Sequence, residues 1–106
     1  MTYEELVADI KKAAAKADAS KIKEHIAFQF NITGEAAGAF YLEIKDGQID
    51  VQPYEYYDRN VLITSSAENI IKIMNGKLDP VLAFTLQKIK VEGDLGRALV
   101  LKEIIK

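Results

Sequence analysis

The apolar residues of this chain follow two different periods. From Tyr3 to Ala17 they recur every three or four positions. Tyr3, Leu6, Val7, Ile10, Ala14 and Ala17 form one stripe, and Glu4, Asp9, Lys12 and Lys16 lie outside it. That spacing predicts an amphipathic helix over residues 3–17. Thr2 and Glu5 match a capping box at its start, with Thr2 as N-cap. Its alanine-rich lower part allows close approach to a neighbour. From His25 the period becomes two. Ile26, Phe28, Phe30 and Ile32 alternate with Ala27, Gln29 and Asn31. After a turn at Gly34–Gly38, Phe40, Leu42 and Ile44 alternate with Tyr41, Glu43 and Lys45. Asp46-Gly47 is a hairpin signal, because both residues tolerate positive φ. Ile49 and Val51 follow, and Pro53 ends that strand or places it on an edge. Beyond the loop 54–58, a fourth strand is expected at residues 59–64. A fifth is expected at 88–92, where Ile89 and Val91 alternate with Lys88, Lys90 and Glu92.

Strands covered on both faces of a parallel sheet read as continuous apolar runs. Most strands here have one apolar and one polar face. The predicted fold class is therefore α+β, with a five-stranded, mostly antiparallel sheet and helices packed on one face. Ser65 and Glu68 match a second capping box, and the helix behind it carries Ala67, Ile70, Ile71, Ile73 and Met74 on a wide arc before Asn75-Gly76 stops it. Asp79-Pro80 opens a short third helix bearing Val81, Leu82, Phe84 and Leu86, with proline at the first helical position. After Gly93, Asp94 caps a terminal helix over residues 95–106. Leu95, Ala98, Leu99, Leu101 and Ile105 fill one arc of it, while Val100 and Ile104 sit almost opposite. A helix on a protein surface should keep a polar side. One with two apolar sides implies core on one side and a partner, a membrane or an apolar ligand on the other.

Length predicts one domain over residues 1–106. The formal charge of −2 supplies no steering field toward nucleic acid. The absence of cysteine excludes disulfide scaffolds, thiolate metal sites and cysteine nucleophiles. The N-terminus has acids among its first residues and no long apolar run, so it does not read as a signal peptide. No stretch approaches the ~20 apolar residues of a membrane span. A cytoplasmic location is the expectation. Lys11, Lys12, Lys16, Lys21 and Lys23 read either as a solvated face or as a surface for anionic headgroups in transient membrane contact.

The search for reactive chemistry predicts no catalytic residue, metal or cofactor. His25 is the sole histidine, so a two-histidine metal site within one chain is impossible. It sits at a strand start with no nucleophile elbow nearby. The carboxylates show no glycosidase-like spacing. Gly93-Asp94-Leu95-Gly96 lacks the lysine and the glycine pattern of phosphate-binding loops and reads as a strand-to-helix turn. It also lacks the two flanking helices and basic surround of a KH loop. What remains is apolar surplus. Strand residues Phe28, Phe30, Phe40 and Leu42 face helix residues Ile70, Met74, Leu82, Phe84, Leu99, Leu101, Ile104 and Ile105. These form a plain core or line a cavity. In a cavity, burying a lipid chain contributes about 0.8 kcal/mol per methylene.

The segments NGKLDPVLAF and KIKVEGDLGRALVL resemble the sterol carrier protein 2 (SCP-2) domain family. Gly76, Lys77, Leu78, Pro80, Ala83 and Phe84 match one part of its pattern. Lys88, Ile89, Lys90, Val91, Gly93, Asp94 and Ala98 match the other. FYLEIKDGQIDV and NVLITSSAENIIKIMNGK resemble its paired strands and its strand-to-helix step, so the likeness spans about residues 20–106. It implies a five-stranded sheet with helices on one face and an apolar tunnel between them. It also implies binding of fatty acid, acyl-CoA, sterol or phospholipid without cofactor or metal. Gln87 stands where the family often has glycine, and Phe84-Thr85 where an aromatic pair is common. The end, Ile104-Ile105-Lys106, is not the peroxisomal tripeptide of eukaryotic members, so a small stand-alone bacterial-type lipid binder is expected. In this reading the twelve apolar residues above line the tunnel and the terminal helix is its lid. Tyr54, Tyr56, Tyr57 and Arg59 either touch a polar head at the rim or pack as an ordinary loop. The alternative functions are a protein-interaction or homodimerisation module, and an accessory domain presenting acyl substrates to an enzyme.

Overall fold

The computed structural model describes residues 1–105. Helix α1 (Tyr3–Lys16) begins at the expected capping box: Thr2 Oγ1 accepts from Glu5 N–H (3.1 Å), and Glu5 Oε1 accepts from Thr2 N–H (2.9 Å). Its stripe of Leu6, Val7, Ile10, Ala13 and Ala14 is buried, and it packs against the sheet and a second helix. Strands β1 (Ile26–Thr33), β2 (Gly38–Lys45) and β3 (Gln48–Gln52) form an antiparallel meander. Asp46 (φ 54) and Gly47 (φ 74) make the tight turn between the last two, both left-handed as a primed hairpin turn requires.

Strand β4 (Val61–Ser66) lies beside β1 and runs parallel to it, and β5 (Lys90–Gly93) closes the far edge antiparallel to β4. The order is β3-β2-β1-β4-β5, an antiparallel sheet with one parallel pair at its centre. Asn60 fastens that centre. Its Oδ1 accepts from Ala27 N–H (2.8 Å), its own N–H donates to Ala27 O (2.9 Å), and its carbonyl accepts from Asp94 N–H (2.9 Å).

Helices α2 (Ala67–Met74), α3 (Pro80–Thr85), α4 (Leu95–Ala98) and α5 (Val100–Ile104) complete the chain. The capping serine of α2 is Ser66, whose Oγ accepts from Asn69 N–H at 3.4 Å, one residue beyond the expected Ser65. Strand β4 continues to Ser66 in strict alternation, and this turns Ser65 inward. There its hydroxyl donates to Lys88 O at 2.7 Å. Helix α3 starts as its sequence predicts, with Asp79 Oδ1 accepting from Val81 N–H (2.7 Å) and proline in the first turn. Strand β5 begins two residues later than expected. Gln87 is left-handed (φ 60), and Lys88 N–H is taken by Ala83 O at 2.8 Å, so the chain is still turning.

The expected single terminal helix is two short ones. At the join, Lys102 N–H donates to Leu99 O at 3.1 Å. This three-residue bond tightens the turn and rotates the residues beyond it. Leu101 and Ile104, three positions apart, share the buried side, and Leu99 is exposed; of the expected arc, Leu95, Ala98, Leu99 and Leu101 stay together beside the β5 edge, and Ile105 departs from it. Lys106 lies outside the described residues.

Candidate functional site

The central strands leave no room beneath α1 and α2. Phe28, Phe30, Phe40 and Leu42 are fully buried, and Phe30 stacks on Phe40 with ring centroids 4.9 Å apart. Ile70, Met74 and Ile104 are buried in the same cluster. The packing changes toward the β4–β5 edge. Helices of six, four and five residues present few side chains, and they leave an apolar cavity of about 170 Å³.

Ile63 of β4, with Ile89 and Val91 around the start of β5, floors the cavity. Pro80, Val81 and Phe84 of α3 form one wall, and Leu95, Ala98, Leu99, Leu101 and Lys102 form the other. Val81 (41% exposed), Phe84 (47%), Leu95 (54%) and Leu99 (54%) stand at its opening between α3 and α4. Lys102 is the one charged residue in the lining. Its Nζ pairs with Asp79 Oδ2 at 3.0 Å, tying α5 to the cap of α3. This ammonium, more than any other group, holds the Asp79 carboxyl below the usual aspartate range; the α3 backbone N–H groups add to the effect.

Of the twelve apolar residues predicted to line a tunnel, Phe84, Leu99 and Leu101 line this cavity. Phe28, Phe30, Phe40, Leu42, Ile70, Met74 and Ile104 lie in the core outside its walls. Leu82 faces outward, about half exposed. Ile105 borders a separate depression with Ala13, Lys16 and Ala17. The inward alternation of Ile89 and Val91 and the shared arc of Leu95, Ala98 and Leu99 were present in the pattern. Pairing them with the α3 wall depended on the β5 edge position.

The tyrosine loop packs on the opposite face of the sheet. Gln29, 2% exposed there, accepts through Oε1 from Tyr56 N–H (3.1 Å) and from the Arg59 guanidinium (3.3 Å). The Tyr56 ring meets Tyr41 edge-on at 5.1 Å, and its hydroxyl donates to Glu43 Oε2 at 2.8 Å. His25 Nε2 lies 2.5 Å from the same oxygen. Burial pushes the Glu43 carboxyl up, and the hydrogen bonds from Tyr56 and His25 together outweigh it, leaving the group below its ordinary range. The loop thus covers the polar sheet face, with the rings of Tyr54 and Tyr57 exposed to solvent. Among the described residues, no group of His, Cys, Asp and Glu is placed to hold a metal ion, and no helix is long and apolar enough to cross a membrane.

The chain is 34% identical over 79 residues to hydroxysteroid dehydrogenase-like protein 2 of Xenopus tropicalis, a match covering 74% of this chain and 19% of that protein. It spans about a fifth of the length of the curated relatives it matches. A solution structure of palmitated SCP2L2 from Aedes aegypti superposes with a TM-score of 0.68 at 24% identity, covering 97% of this chain and 93% of that one. The stereoselective inverting sec-alkylsulfatase Pisa1 from Pseudomonas sp. gives a TM-score of 0.74 at 14% identity, covering 89% of this chain and 15% of the sulfatase. These likenesses in structure show the fold. The model of the SCP-2 sterol transfer family matches residues 4–106, nearly the whole chain, and this chain belongs to that family.

Proposed function

We propose that the chain is a non-catalytic carrier of single-chain apolar ligands, fatty acid or acyl-CoA foremost, acting in the cytoplasm as one domain over residues 1–106. The observation that carries the reading is the cavity, apolar on every side except at Lys102 and open between α3 and α4. Family membership and the palmitated state of the Aedes aegypti neighbour support it. The residues proposed to meet the ligand are Phe84, Leu99 and Leu101, together with Val81, Ile89, Val91, Leu95 and Ala98. Phe28, Phe30, Phe40, Leu42, Ile70, Met74 and Ile104 support the floor from within the core.

Size makes the proposal quantitative. A methylene needs about the room of a water molecule's share of the liquid, about 30 Å³, so 170 Å³ takes about six. A longer chain extends past the mouth or displaces α4 and α5, which then act as the lid. Native mass spectrometry of the protein purified from cells should show adducts of lipid mass. Delipidated protein should take up a fluorescent fatty acid. Apo mass alone, with no uptake, refutes the reading. A second reading, a domain presenting acyl substrates to an enzyme, is favoured by likeness to about a fifth of a dehydrogenase-like protein. It uses the same cavity and differs in the recipient of the ligand.

A further inference from the structure

A fatty acid would bring one negative charge to a cavity that is otherwise apolar. Among the described residues that line it, only Lys102 offers a charge or a side-chain hydrogen-bond donor. Arg97, the other cation of α4 and α5, is held by Asp94 and Glu24 at 2.6 and 3.0 Å. Lys102 is held by one group. Its Nζ meets Asp79 Oδ2 at 3.0 Å, with the two side chains 56% and 40% exposed, and an ammonium has three protons to donate. Asp79 has partners besides this lysine. Its other oxygen, Oδ1, accepts from Val81 N–H (2.7 Å) and Leu82 N–H (3.4 Å) as the cap of α3. If the ammonium turns away, Asp79 keeps those donors and its solvent. A carboxylate seated in the cavity would find no other donor side chain in the walls.

We propose that Lys102 selects a free carboxylate as the polar end of the ligand, exchanging Asp79 in the empty protein for the ligand's carboxylate in the loaded one. This role rests on the carrier reading and deepens it, because it points to the free acid rather than its thioester. An ion pair this exposed is weak, so leaving Asp79 costs Lys102 little. A carboxylate left without a partner against apolar walls is costly, so the exchange is favoured once the tail is buried. The lysine is built for it: the charge is compact and rides on a flexible four-carbon stem. That stem stays along the wall while the ammonium turns. The tail of the acid then lies over the floor of Ile63, Ile89 and Val91. A neutral ester or alcohol of the same length buries the same tail and gains nothing from the lysine.

The test is the ratio of affinities for heptanoate and 1-heptanol, two probes with the same tail of about the six carbons that the cavity takes. Each is titrated into the full chain at neutral pH and followed by NMR chemical shifts. The ratio cancels any change that a variant makes to the apolar walls. Lys102→Gln removes the charge, and Lys102→Arg keeps it. Asp79→Asn removes the competing carboxylate and keeps the cap of α3, since asparagine caps a helix as well as aspartate does. The preference for heptanoate should fall about three- to fivefold in Lys102→Gln and stay within about twofold of wild type in Lys102→Arg. It should rise about two- to threefold in Asp79→Asn. A mere tie between α3 and α5 is broken by Lys102→Gln and Asp79→Asn alike. If those two variants move the ratio in the same direction, or leave it unchanged, selection by Lys102 is overturned. Wild type that binds 1-heptanol but not heptanoate overturns it too and leaves the carrier reading standing. Wild type that binds neither probe overturns the carrier reading itself.

Discussion

Ala98→Phe should abolish ligand binding and leave the fold intact. Ala98 lines the cavity wall opposite α3, next to the exposed Leu99. A phenyl ring is the size of benzene, and an apolar cavity of about 150 Å³ accepts benzene. The ring therefore fills most of the 170 Å³ present here. It takes the place of about five or six methylenes, and about 0.8 kcal/mol each sums to roughly 4–5 kcal/mol of lost burial. At 1.4 kcal/mol per tenfold, that is about a thousandfold weaker binding. Stability should move little. Burying the ring contributes about 2–3 kcal/mol, and fitting it costs about 1–3 kcal/mol in shifted rotamers. The melting temperature should stay within several degrees of wild type. Fluorescent fatty-acid titration gives the affinity, and circular dichroism with thermal unfolding gives the fold. A folded Ala98→Phe protein that binds within threefold of wild type would refute the assignment of this cavity as the ligand site. The same arithmetic predicts that affinity for saturated chains rises about fourfold per methylene to about six carbons, then flattens.

Leu101→Ala removes a side chain that is 1% exposed and joins the core to the cavity wall. It should cost about 3 kcal/mol in urea unfolding, because the existing void prevents collapse around the deletion; a cost under about 1 kcal/mol contradicts that placement. Gly93 has φ 100, and an added Cβ would stand 2.4 Å from Asn60 O. Gly93→Ala should therefore cost at least about 2 kcal/mol through backbone strain and the pushed Asn60 carbonyl, measured by the same unfolding curves. Glu43 has a carboxyl pKa lowered in the folded state. A lowered folded value means that its contribution is fully present above the unfolded pKa, about 4.3, and disappears as pH falls through the folded value. Glu43→Gln should lower the urea midpoint at neutral pH and match wild type in strong acid. A gap that persists in acid would show that ionisation of this group is not its source.

The period-two runs from Ile26 to Val51 set the meander and its two faces without help from distant residues. A one-residue slip would carry Phe28, Phe30 and Phe40 to the polar side. Thr2 and Asp79 placed their helices for a similarly local reason, since a side-chain oxygen beside free backbone N–H groups needs no tertiary partner. The cavity was legible only in part. Leu99 and Phe84 stood out as apolar surplus, but so did Phe30 and Ile70. A list of apolar residues cannot separate those that fill space from those that border it.

Sequence by itself determined the five strands, the one-sided helical layer and the family likeness at NGKLDPVLAF, because alternation, caps and turn residues act over a few positions. The tertiary structure decided that β4 enters beside β1 as the parallel centre, which puts β5 on an edge. It also decided that the terminal segment breaks at Leu99, and that Leu101 is buried while Leu99 stands at the mouth. Both outcomes depend on what each element packs against. The site lies where the wide central strands, already filled by phenylalanine, give way to short helices that cannot cover the sheet's last edge.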